Sequence, residues 1–308
     1  MSRILITGAA GMVGQALLAE LSGQQVFATD LSRPDPLPEG MVYLKMDVTG
    51  GDPDRVIAKV RPDVVIHLAS IVTPGVAREV AHRVDVGGTR AVLEACLAHG
   101  VRRLVVTSSG AAYGYHADNP VPLRESDPLR GNPEFAYADH KRQVEEMLAE
   151  ARQTAPQLEQ VVLRVGTVLG AGTENQITAL FRKPRLLAVL GSESPFVFIW
   201  TRDLARILAR AAGEGPAGIY NVAGDGAMGV SDLARALGKP VLRLPALALK
   251  AALAVARPLG LSRYGPEQVR FLQYRPVLAN DALKQVFGYV PELTSAEVFD
   301  LWRREAGL

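Results

Sequence analysis

A tyrosine and a lysine four residues apart form the pair in this chain best suited to moving a proton. Tyr137 and Lys141 lie in a stretch predicted to be helical, so their spacing places both side chains on one face of the helix. A tyrosine of ordinary pKa, about 10, is a poor base at neutral pH. A neighbouring ammonium favours the phenolate by charge attraction, so the pair could take a proton from an alcohol or return one to a ketone.

Ser109 could assist that proton transfer. It ends the run LVVTSS, residues 104–109, which predicts a buried strand followed by a turn at Gly110. A hydroxyl at the carboxyl end of a central strand can donate to a substrate oxygen and stabilise developing negative charge. We therefore predict Ser109, Tyr137 and Lys141 as the catalytic residues.

Six short apolar runs predict strands buried on both faces, because the runs are continuous and do not alternate with polar residues. They are Ile4–Thr7, Val26–Thr29, Val42–Met46, Val64–Leu68, Leu104–Thr107 and Val161–Val165. Helical patterns lie between them, at Met12–Leu21, Pro53–Lys59, Ala77–Ala98 and Phe135–Ala151. Strands that alternate with helices indicate an α/β fold with a doubly wound parallel sheet.

A glycine-rich turn directly follows the first predicted strand. Gly8, Gly11 and Gly14 have the spacing GxxGxxG, and Met12 and Val13 begin the next helix. Glycine permits a tight turn, a close approach of the backbone to a pyrophosphate, and close packing of helix on strand. The helix N-terminus attracts phosphate. The turn therefore predicts a dinucleotide site.

Asp30 indicates which dinucleotide is bound. It ends the second predicted strand, where a carboxylate can accept hydrogen bonds from both adenosine ribose hydroxyls and repels the 2′-phosphate of NADP. The sequence therefore favours NAD, while the nearby Arg33 keeps NADP open. Lys141 would hold the hydroxyls of the nicotinamide ribose.

Further residues at the carboxyl ends of strands would line the cofactor crevice. Asp47 and Val48 could contact the adenine, although Asp47 could equally cap its own turn. His67 is better interpreted as a packing residue than as a ligand. The remaining predicted cofactor residues at these strand ends are Leu68, Ala69, Ser70 and Thr107.

After Gly166 the regular alternation ends, because glycine and proline interrupt the chain repeatedly. This segment predicts a smaller C-terminal, substrate-binding lobe over a Rossmann sheet. We expect residues 1–168 to form the NAD-binding Rossmann domain, with 201–224 returning to it. Residues 169–200 and 225–308 would form the lobe, with a capping box at Thr294 and Glu297 before the last helix.

In their order along the chain, these motifs resemble the extended short-chain dehydrogenase/reductase superfamily, and within it the NAD-dependent epimerase/dehydratase group that includes UDP-sugar 4-epimerases. The match covers residues 1 to about 225. The matching residues are Gly8, Gly11, Gly14, Asp30, Asp47-Val48, His67-Leu68-Ala69, Gly88-Thr89, Ser108-Ser109, Tyr113-Gly114, Tyr137, Lys141, Leu163-Arg164 and Asp203-Leu204-Ala205.

The resemblance implies a serine, tyrosine and lysine triad, carried here by Ser109, Tyr137 and Lys141. It implies that Val165 and Gly166 border the nicotinamide and that the lobe selects the substrate. It also implies a homodimer that packs through the helices within 77–98 and 137–149.

Several residues depart from the pattern of that group. Gly110-Ala111 stand where its dehydratases carry an Asp-Glu pair, which argues against elimination chemistry because such chemistry needs a titratable group. Thr167 and Trp200 replace an asparagine and a histidine common in sugar-nucleotide members. Arg275 begins only half of their Arg-Pro-x-Asp element, and Asp85 replaces an asparagine.

The lobe offers two kinds of substrate contact. A diphosphate would need donors, which basic residues could supply, although solvated surface charges are equally ordinary. An apolar lining would suit a steroid-like or aryl substrate, unless these side chains form the core of the lobe. The basic residues are Arg182, Lys183, Arg185, Arg202, Arg263, Arg270 and Arg275. The apolar residues are Phe181, Leu186, Leu187, Val189, Leu190, Phe196, Phe198 and Trp200, with the helix 246–256.

Three functional hypotheses follow. The first is a sugar or nucleotide-sugar 4-epimerase that depends on NAD and uses Ser109, Tyr137 and Lys141, with substrate contacts at Ser109, Thr167, Arg182, Trp200 and Arg275. The second is an NAD(P)-dependent dehydrogenase or reductase of a less polar hydroxy or keto compound. The third is a non-catalytic NAD sensor.

Composition narrows the partners to small molecules. A net charge of +2 leaves no excess to bind nucleic acid. The single cysteine, Cys96, rules out an intramolecular disulfide, and five scattered histidines predict no metal site. The apolar stretch 241–260 is interrupted by charges and prolines, so we expect no membrane span. A short apolar N-terminus without a signal-peptide core fits a reducing, cytoplasmic setting.

Overall fold

The computed structural model describes residues 2–72, 75–262 and 265–308. Its strands are β1 (Arg3–Thr7), β2 (Gln25–Asp30), β3 (Val42–Lys45), β4 (Val64–His67), β5 (Arg103–Ser109), β6 (Glu159–Val165), β7 (Thr167–Leu169), β8 (Leu186–Val189), β9 (Phe198–Trp200), β10 (Gly218–Val222) and β11 (Val241–Leu244). Seven of them form a parallel sheet in the order β10-β6-β5-β4-β1-β2-β3. The predicted α/β fold with a doubly wound Rossmann sheet is confirmed.

The helices of the described residues divide between the two faces of that sheet and the lobe. They are α1 (Met12–Glu20), α2 (Asp52–Val60), α3 (Arg78–His82), α4 (Thr89–Ala98), α5 (Ala136–Thr154), α6 (Gln176–Phe181), α7 (Thr201–Ala212), α8 (Val230–Leu237), α9 (Ala246–Ala256), α10 (Gln268–Gln273), α11 (Asp281–Gln285) and α12 (Ser295–Glu305). Ile4 and Ile6 pack in one core with α1 and α7, whereas Leu5 packs in the other with α2, α4 and α5. In the described part of the chain, no helix is long and apolar enough to cross a membrane.

The strand register brings the carboxyl ends of four strands to one edge of the sheet. Thr7 of β1 pairs with His67 of β4, and His67 pairs with Val106 of β5. Ser109, the last residue of β5, pairs with Val165, the last residue of β6. The segments that follow these strands therefore share one crevice.

The helical stretch predicted at Ala77–Ala98 is helical from Arg78 to Ala98. A π-helical turn, Arg83–Gly88, separates α3 from α4 within it. Two close contacts lie at this turn. A Cβ on Gly88 would lie 2.7 Å from a methyl carbon of Val48, so the chain passes close to the segment after β3. Asp85, inside the turn, directs its carboxylate to the residues that follow β4. Turns of this kind are frequent at functional sites.

The lobe has its own aromatic core, built from Phe181, Phe196, Phe198, Phe299 and Trp302. Its short strands pair as β7 with β9 and β8 with β11. The core interpretation of the lobe's apolar residues thus holds for Phe181, Leu186, Val189, Phe196 and Phe198, while Leu187 and Leu190 are exposed. It does not hold for the helix 246–256, in which only Leu249 is buried. The predicted capping box is present, with Thr294 and Glu297 bonded reciprocally. The division of the chain into a Rossmann domain (1–168 and 201–224) and a lobe (169–200 and 225–308) stays a prediction, although β10 does pair with β6 of the sheet.

Substituting Gly14 with alanine should destabilise the fold. A Cβ there would lie 2.4 Å from the Gly8 carbonyl oxygen and 2.7 Å from the Ala9 Cα, both backbone atoms, so α1 would have to move off β1. We expect the free energy of unfolding, measured by urea denaturation, to fall by about 1 to 3 kcal/mol. Gly50→Ala is the matched control, because its Cβ would meet nothing within 4 Å. An equal effect of the two substitutions would contradict this account.

Candidate active site

The glycine turn lies against the segment that follows β4. Gly8 has a positive φ of 72°, and a Cβ there would lie 2.7 Å from the Ala69 amide nitrogen. Gly11 is the exposed N-cap of α1, and its Cβ would meet only the Gly8 carbonyl oxygen, at 3.3 Å. The first amides of α1 have no partner within the helix. The turn is thus an open cradle of backbone that a side chain at Gly11 would begin to fill, which suits a pyrophosphate.

Asp30 is fixed beside this cradle at the carboxyl end of β2. One carboxylate oxygen accepts the Ala10 amide at 3.0 Å and the other accepts the Leu31 amide at 2.7 Å. Each carboxylate oxygen can accept a further hydrogen bond. Asp30 therefore fits the role of a ribose acceptor for NAD.

Asp47 and Val48 follow β3 on the same side. The Asp47 carboxylate accepts the backbone amide and the hydroxyl of Thr49, at 2.8 and 2.7 Å, so it caps its own turn. Val48 is buried against Gly88. Their contacts with adenine stay a prediction.

His67 at the end of β4 is a satisfied buried side chain. Its Nδ1 lies 2.7 Å from the Thr7 hydroxyl oxygen and its Nε2 lies 3.0 Å from that of Thr89. Burial, together with repulsion from the Lys141 ammonium, lowers the pKa of His67 to about 3. The imidazole is therefore neutral, as its interpretation as a packing residue requires. Leu68, Ala69 and Ser70 continue from it along the crevice.

The three predicted catalytic residues lie where β5 meets α5. The Lys141 ammonium donates to the Thr107 carbonyl oxygen at 2.9 Å and lies 5.6 Å from the centroid of the Tyr137 ring. The Ser109 hydroxyl oxygen accepts the Ala111 amide at 3.1 Å and lies 3.5 Å from the Val165 carbonyl oxygen. Thr107 is two residues before Ser109, so the structure brings the lysine, the phenol ring and the serine to one strand end.

A buried ion pair links α5 to β6 next to the end of β5. Arg164 of β6 and Glu145 of α5 are both almost fully buried, and two guanidinium nitrogens bind the carboxylate at 2.7 to 3.0 Å. The Ser108 hydroxyl donates to the same carboxylate at 2.5 Å. Arg164 also donates to the Tyr113 hydroxyl at 2.7 Å. The network joins β5, β6 and α5 directly beneath Ser109.

A pocket of about 290 Å³ opens between residues 115–118 and the lobe, and its lining includes Tyr115, Asp118, Lys250, Arg270 and Tyr274. The Tyr115 ring packs against Phe135 and Phe271, with centroids 5.3 and 5.2 Å away. Burial raises the pKa of Tyr115. The pocket therefore combines two tyrosine rings with charges of both signs, since Asp118 also lines it and Arg270 pairs with Glu134 at 3.2 Å.

Arg275 follows Tyr274 and has no acidic partner among the contacts of the described residues. Its guanidinium carbon lies 3.8 Å from the Phe196 ring centroid and 4.6 Å from that of Phe271. One terminal nitrogen donates to the Ser194 carbonyl oxygen, at 2.8 Å, and to its hydroxyl. Burial lowers the pKa of Arg275 to about 9. Stacking between two rings can stabilise such a cation without an anion.

The other predicted substrate residues are spread over the lobe. Thr167 begins β7 and donates its amide to Val197, while Trp200 ends β9 beneath Arg202. Arg182 pairs with Glu174 at 3.4 Å and lines a second pocket, of about 250 Å³, with Thr173 and Trp302. That pocket shares no lining residue with the one at Tyr115. Arg263 lies outside the described residues.

Sequence reasoning missed Glu145 and Tyr115. Glu145 is four residues after Lys141, so the helical repeat could have placed it on the same face. Tyr115 follows the recognised Tyr113-Gly114, and nothing in its spacing distinguishes it. The pairing of Asp85 with His140, described below, had no sequence signal either.

Comparison with known proteins places the chain in a family. The model of the NAD dependent epimerase/dehydratase family matches residues 4–223. The chain belongs to this family. The predicted class, an enzyme of the extended short-chain dehydrogenase/reductase type that depends on NAD, is confirmed.

Three individual similarities illustrate the range of relatives. An uncharacterised protein of Mycobacterium tuberculosis is 24% identical over 99% of this chain and 84% of its own. A UDP-glucose 4-epimerase of Azospirillum brasilense is 32% identical over 65% of this chain and 60% of its own. The structure of a Thermus thermophilus UDP-glucose 4-epimerase in complex with NAD has a TM-score of 0.75 at 24% identity, covering 98% of each chain.

Removing the Glu145 carboxylate should leave Arg164 buried without its counter-charge. We expect Glu145→Ala to lower the free energy of unfolding by about 3 to 5 kcal/mol. Its neighbour on the same helix, Glu146, pairs with Arg142 at the surface. Glu146→Ala should therefore cost at most about 1 kcal/mol. Urea denaturation of both variants tests the difference, and similar losses would refute the assignment.

The neutral state of His67 predicts a dependence of stability on pH. Between the ordinary pKa of 6.5 and about 3, the unfolded chain binds a proton at His67 that the folded protein does not. The free energy of unfolding should therefore fall as the pH drops below 6.5, by up to about 1.4 kcal/mol per pH unit from this residue. In His67→Gln this component should vanish. Parallel stability curves for the two proteins from pH 7 to 5 would contradict it.

Proposed function

We propose that this chain is a 4-epimerase of a sugar or nucleotide sugar that works with bound NAD. One observation carries the proposal. The Lys141 ammonium, anchored on the Thr107 carbonyl oxygen beside the Tyr137 ring, lies at the strand end that also carries Ser109. The glycine turn and Asp30 lie at the same edge of the sheet, where the carboxyl ends of parallel strands bind ligands, and this supports a dinucleotide site beside the proton-transfer residues.

Each residue has a chemical role in this proposal. When bound, NAD would supply the acceptor, and then the donor, of the hydride at the substrate carbon. Tyr137 removes the hydroxyl proton and later restores it, and the Lys141 ammonium stabilises the phenolate by charge attraction. The Ser109 hydroxyl donates to the same substrate oxygen. Rotation of the keto intermediate between the two steps presents its opposite face and inverts the carbon.

Gly8, Gly11, Met12, Val13 and Gly14 would hold the pyrophosphate of the cofactor. Asp30 would bind the adenosine ribose, with Asp47 and Val48 at the adenine. The nicotinamide half would contact the remaining predicted residues, namely Leu68, Ala69, Ser70, Thr107, Val165 and Gly166, together with Tyr137 and Lys141. The exposed Gly11 cap and the fixed carboxylate of Asp30 support this arrangement.

Two further observations favour epimerisation over elimination. No carboxylate follows Ser109, since Gly110 and Ala111 stand there. A Cβ on Gly110 would already lie 3.1 Å from a methyl carbon of Leu278, so a larger side chain would displace Leu278. The names of two relatives, both UDP-glucose 4-epimerases, agree with a nucleotide-sugar substrate.

Arg275 is our candidate among the predicted substrate residues for a diphosphate contact, although it lines neither pocket. Its Nε is buried with no hydrogen-bond partner among the described residues, and guanidinium groups bind phosphate strongly. Lys250 and Arg270 add positive charge to the adjacent pocket. Thr167 and Trp200 lie on the lobe strands, and Arg182 would contact only a substrate that reaches the second pocket.

A second candidate is the oxidation or reduction of a less polar alcohol or ketone. The rings of Tyr115 and Tyr274, which line the pocket, favour it, because aromatic rings also suit an aryl or steroid-like compound. In this case the cofactor exchanges at each turnover.

We also propose the division of the chain given above, with 1–168 and 201–224 as the cofactor domain and 169–200 and 225–308 as the substrate lobe. The homodimer through α4 and α5 stays a prediction, as does the cytoplasmic setting.

Tyr137→Phe tests the proposed chemistry directly. The purified wild-type protein should carry NAD and interconvert UDP-glucose and UDP-galactose or another UDP-hexose pair. The variant should lose about 100-fold to 10,000-fold in kcat, because the proton acceptor is gone, while it keeps its NADH affinity. Tyr220→Phe is the matched control, since the Tyr220 hydroxyl contacts Pro216 and Ala217 at the amino end of β10.

Chromatography of the products and fluorescence of bound NADH give the two readouts. Failure of the wild-type protein to interconvert any UDP-hexose pair would contradict the epimerase. NAD-dependent absorbance change at 340 nm with an aryl or steroid alcohol would then support the second candidate. Full enzymatic activity in Tyr137→Phe would contradict the proton-transfer role of Tyr137. A protein that binds NAD, turns over no substrate and keeps its biological activity in Tyr137→Phe would favour the NAD sensor.

A further inference from the structure

A buried carboxylate and imidazole face each other beside the crevice. The Oδ2 of Asp85 lies 3.0 Å from the Nδ1 of His140, and the two side chains are 1% and 0% exposed. Asp85 lies in the π-helical turn between α3 and α4, and His140 lies on α5. The pair therefore joins two helices that cover the same face of the sheet.

The other oxygen of Asp85 holds the segment that follows β4. Its Oδ1 accepts the Ser70 hydroxyl at 2.9 Å and the Ile71 amide at 2.8 Å. This segment begins at Ala69, whose backbone packs against Gly8 of the glycine turn. One carboxylate thus fixes the cofactor side of the crevice.

The hydrogen-bonding pattern assigns the tautomer of His140. Its Nε2 is buried and has no hydrogen-bond partner among the described residues. With a proton on Nδ1, the imidazole donates to Asp85. Its Nε2 then carries no proton and is an acceptor without a partner among the described residues. The carboxylate then receives three donors, from Ser70, Ile71 and His140. Because burying a carboxylate without such donors is costly, each of the three matters to its position.

His140 is also the residue before Lys141. The Lys141 ammonium is anchored on the Thr107 carbonyl oxygen of β5. A shift of His140 on the helix must therefore move the backbone that carries Lys141, and Tyr137 one turn earlier. The buried contact between Asp85 and His140 therefore links the position of the proton-transfer residues to the position of the Ser70–Ile71 segment.

We propose that Asp85 and His140 are positioning residues that hold the Ser70–Ile71 segment and the helix carrying Tyr137 and Lys141 in register with each other. The pair touches no reacting atom in this role, and it acts through Lys141 on one side and through the cofactor segment on the other. The proposal rests on the proposed function for its catalytic consequence, but its effect on cofactor affinity needs no substrate.

A double-mutant cycle tests the proposal. Asp85→Ala removes the acceptor, His140→Leu removes the donor, and the double variant removes both. We expect each single variant to weaken NADH binding by roughly tenfold and to lower kcat by roughly tenfold to a hundredfold, because small misplacements of reacting groups cost that much. The double variant should lose no more NADH affinity or kcat than the more impaired of the two single variants, since the effects of coupled residues are not additive.

Arg78→Ala is the matched control. Arg78 joins α3 to Asp139, the residue before His140, at 2.6 Å. Its other hydrogen-bond partner among the described residues is the Pro133 carbonyl oxygen, not the Ser70–Ile71 segment. Asp139 keeps Arg142 and Gln143 as partners after the substitution. NADH affinity and kcat should therefore stay within about threefold of wild type, in line with other surface substitutions.

Conservative variants cover the case in which the first set fails to fold. His140→Asn keeps a donor near the position of Nδ1, and Asp85→Asn keeps an acceptor for Ser70 and Ile71. Hydrogen exchange at the Ile71 amide then reports the contact itself. We expect protection in wild type and in His140→Asn, and faster exchange in His140→Leu or Asp85→Ala when these fold.

The outcomes separate this proposal from the proposed function. Variants that lose only thermal stability, with wild-type NADH affinity, wild-type Ile71 exchange and wild-type kcat per folded molecule, would overturn the positioning role. Effects of the two single variants that simply multiply in the double variant would also overturn it. If no UDP-hexose is turned over, the proposed function fails, while NADH affinity and Ile71 exchange still decide the role of Asp85 and His140.

Discussion

The hydrogen bond from the Lys141 ammonium to the Thr107 carbonyl oxygen is the contact on which the rest of the site depends. A lysine that is 6% exposed must find partners for its charge inside the protein. Thr107 supplies a carbonyl dipole, and the face of the Tyr137 ring supplies a second favourable contact. The contact with Thr107 holds α5 against the carboxyl end of β5. The proton-transfer pair on the helix therefore lies near the serine that ends the strand.

The parallel sheet places the residues around this contact at the same edge as the other strand ends. The strand register aligns the ends of β1, β4, β5 and β6, and each of these ends is followed by a segment assigned to the crevice. The buried Glu145 and Arg164 pair ties α5 to β6, and the Ser108 hydroxyl adds β5 to the same network. In this network, buried charge holds one helix against two strands.

Much of this arrangement could be predicted from local sequence patterns. Continuous apolar runs predicted the strands, because both faces of a parallel sheet are buried, and the GxxGxxG spacing after the first run predicted the turn. Contacts between distant segments could not be predicted in the same way. Asp85 and His140 are far apart in the chain, and only the tertiary fold brings them together. The two arginines assigned to the substrate, Arg182 and Arg275, look alike in sequence, yet one pairs with Glu174 and the other stacks between two phenylalanines.

The central claim is that the substrate carbon gives its hydride to the bound cofactor and receives the same hydride back, with Tyr137 moving the proton. The most direct measurement follows deuterium at C4 of UDP-glucose through the reaction by mass spectrometry and NMR of the product in ordinary water. The account predicts that the UDP-galactose formed keeps the deuterium at C4. Loss of the label to solvent, or no inversion at C4, would contradict it.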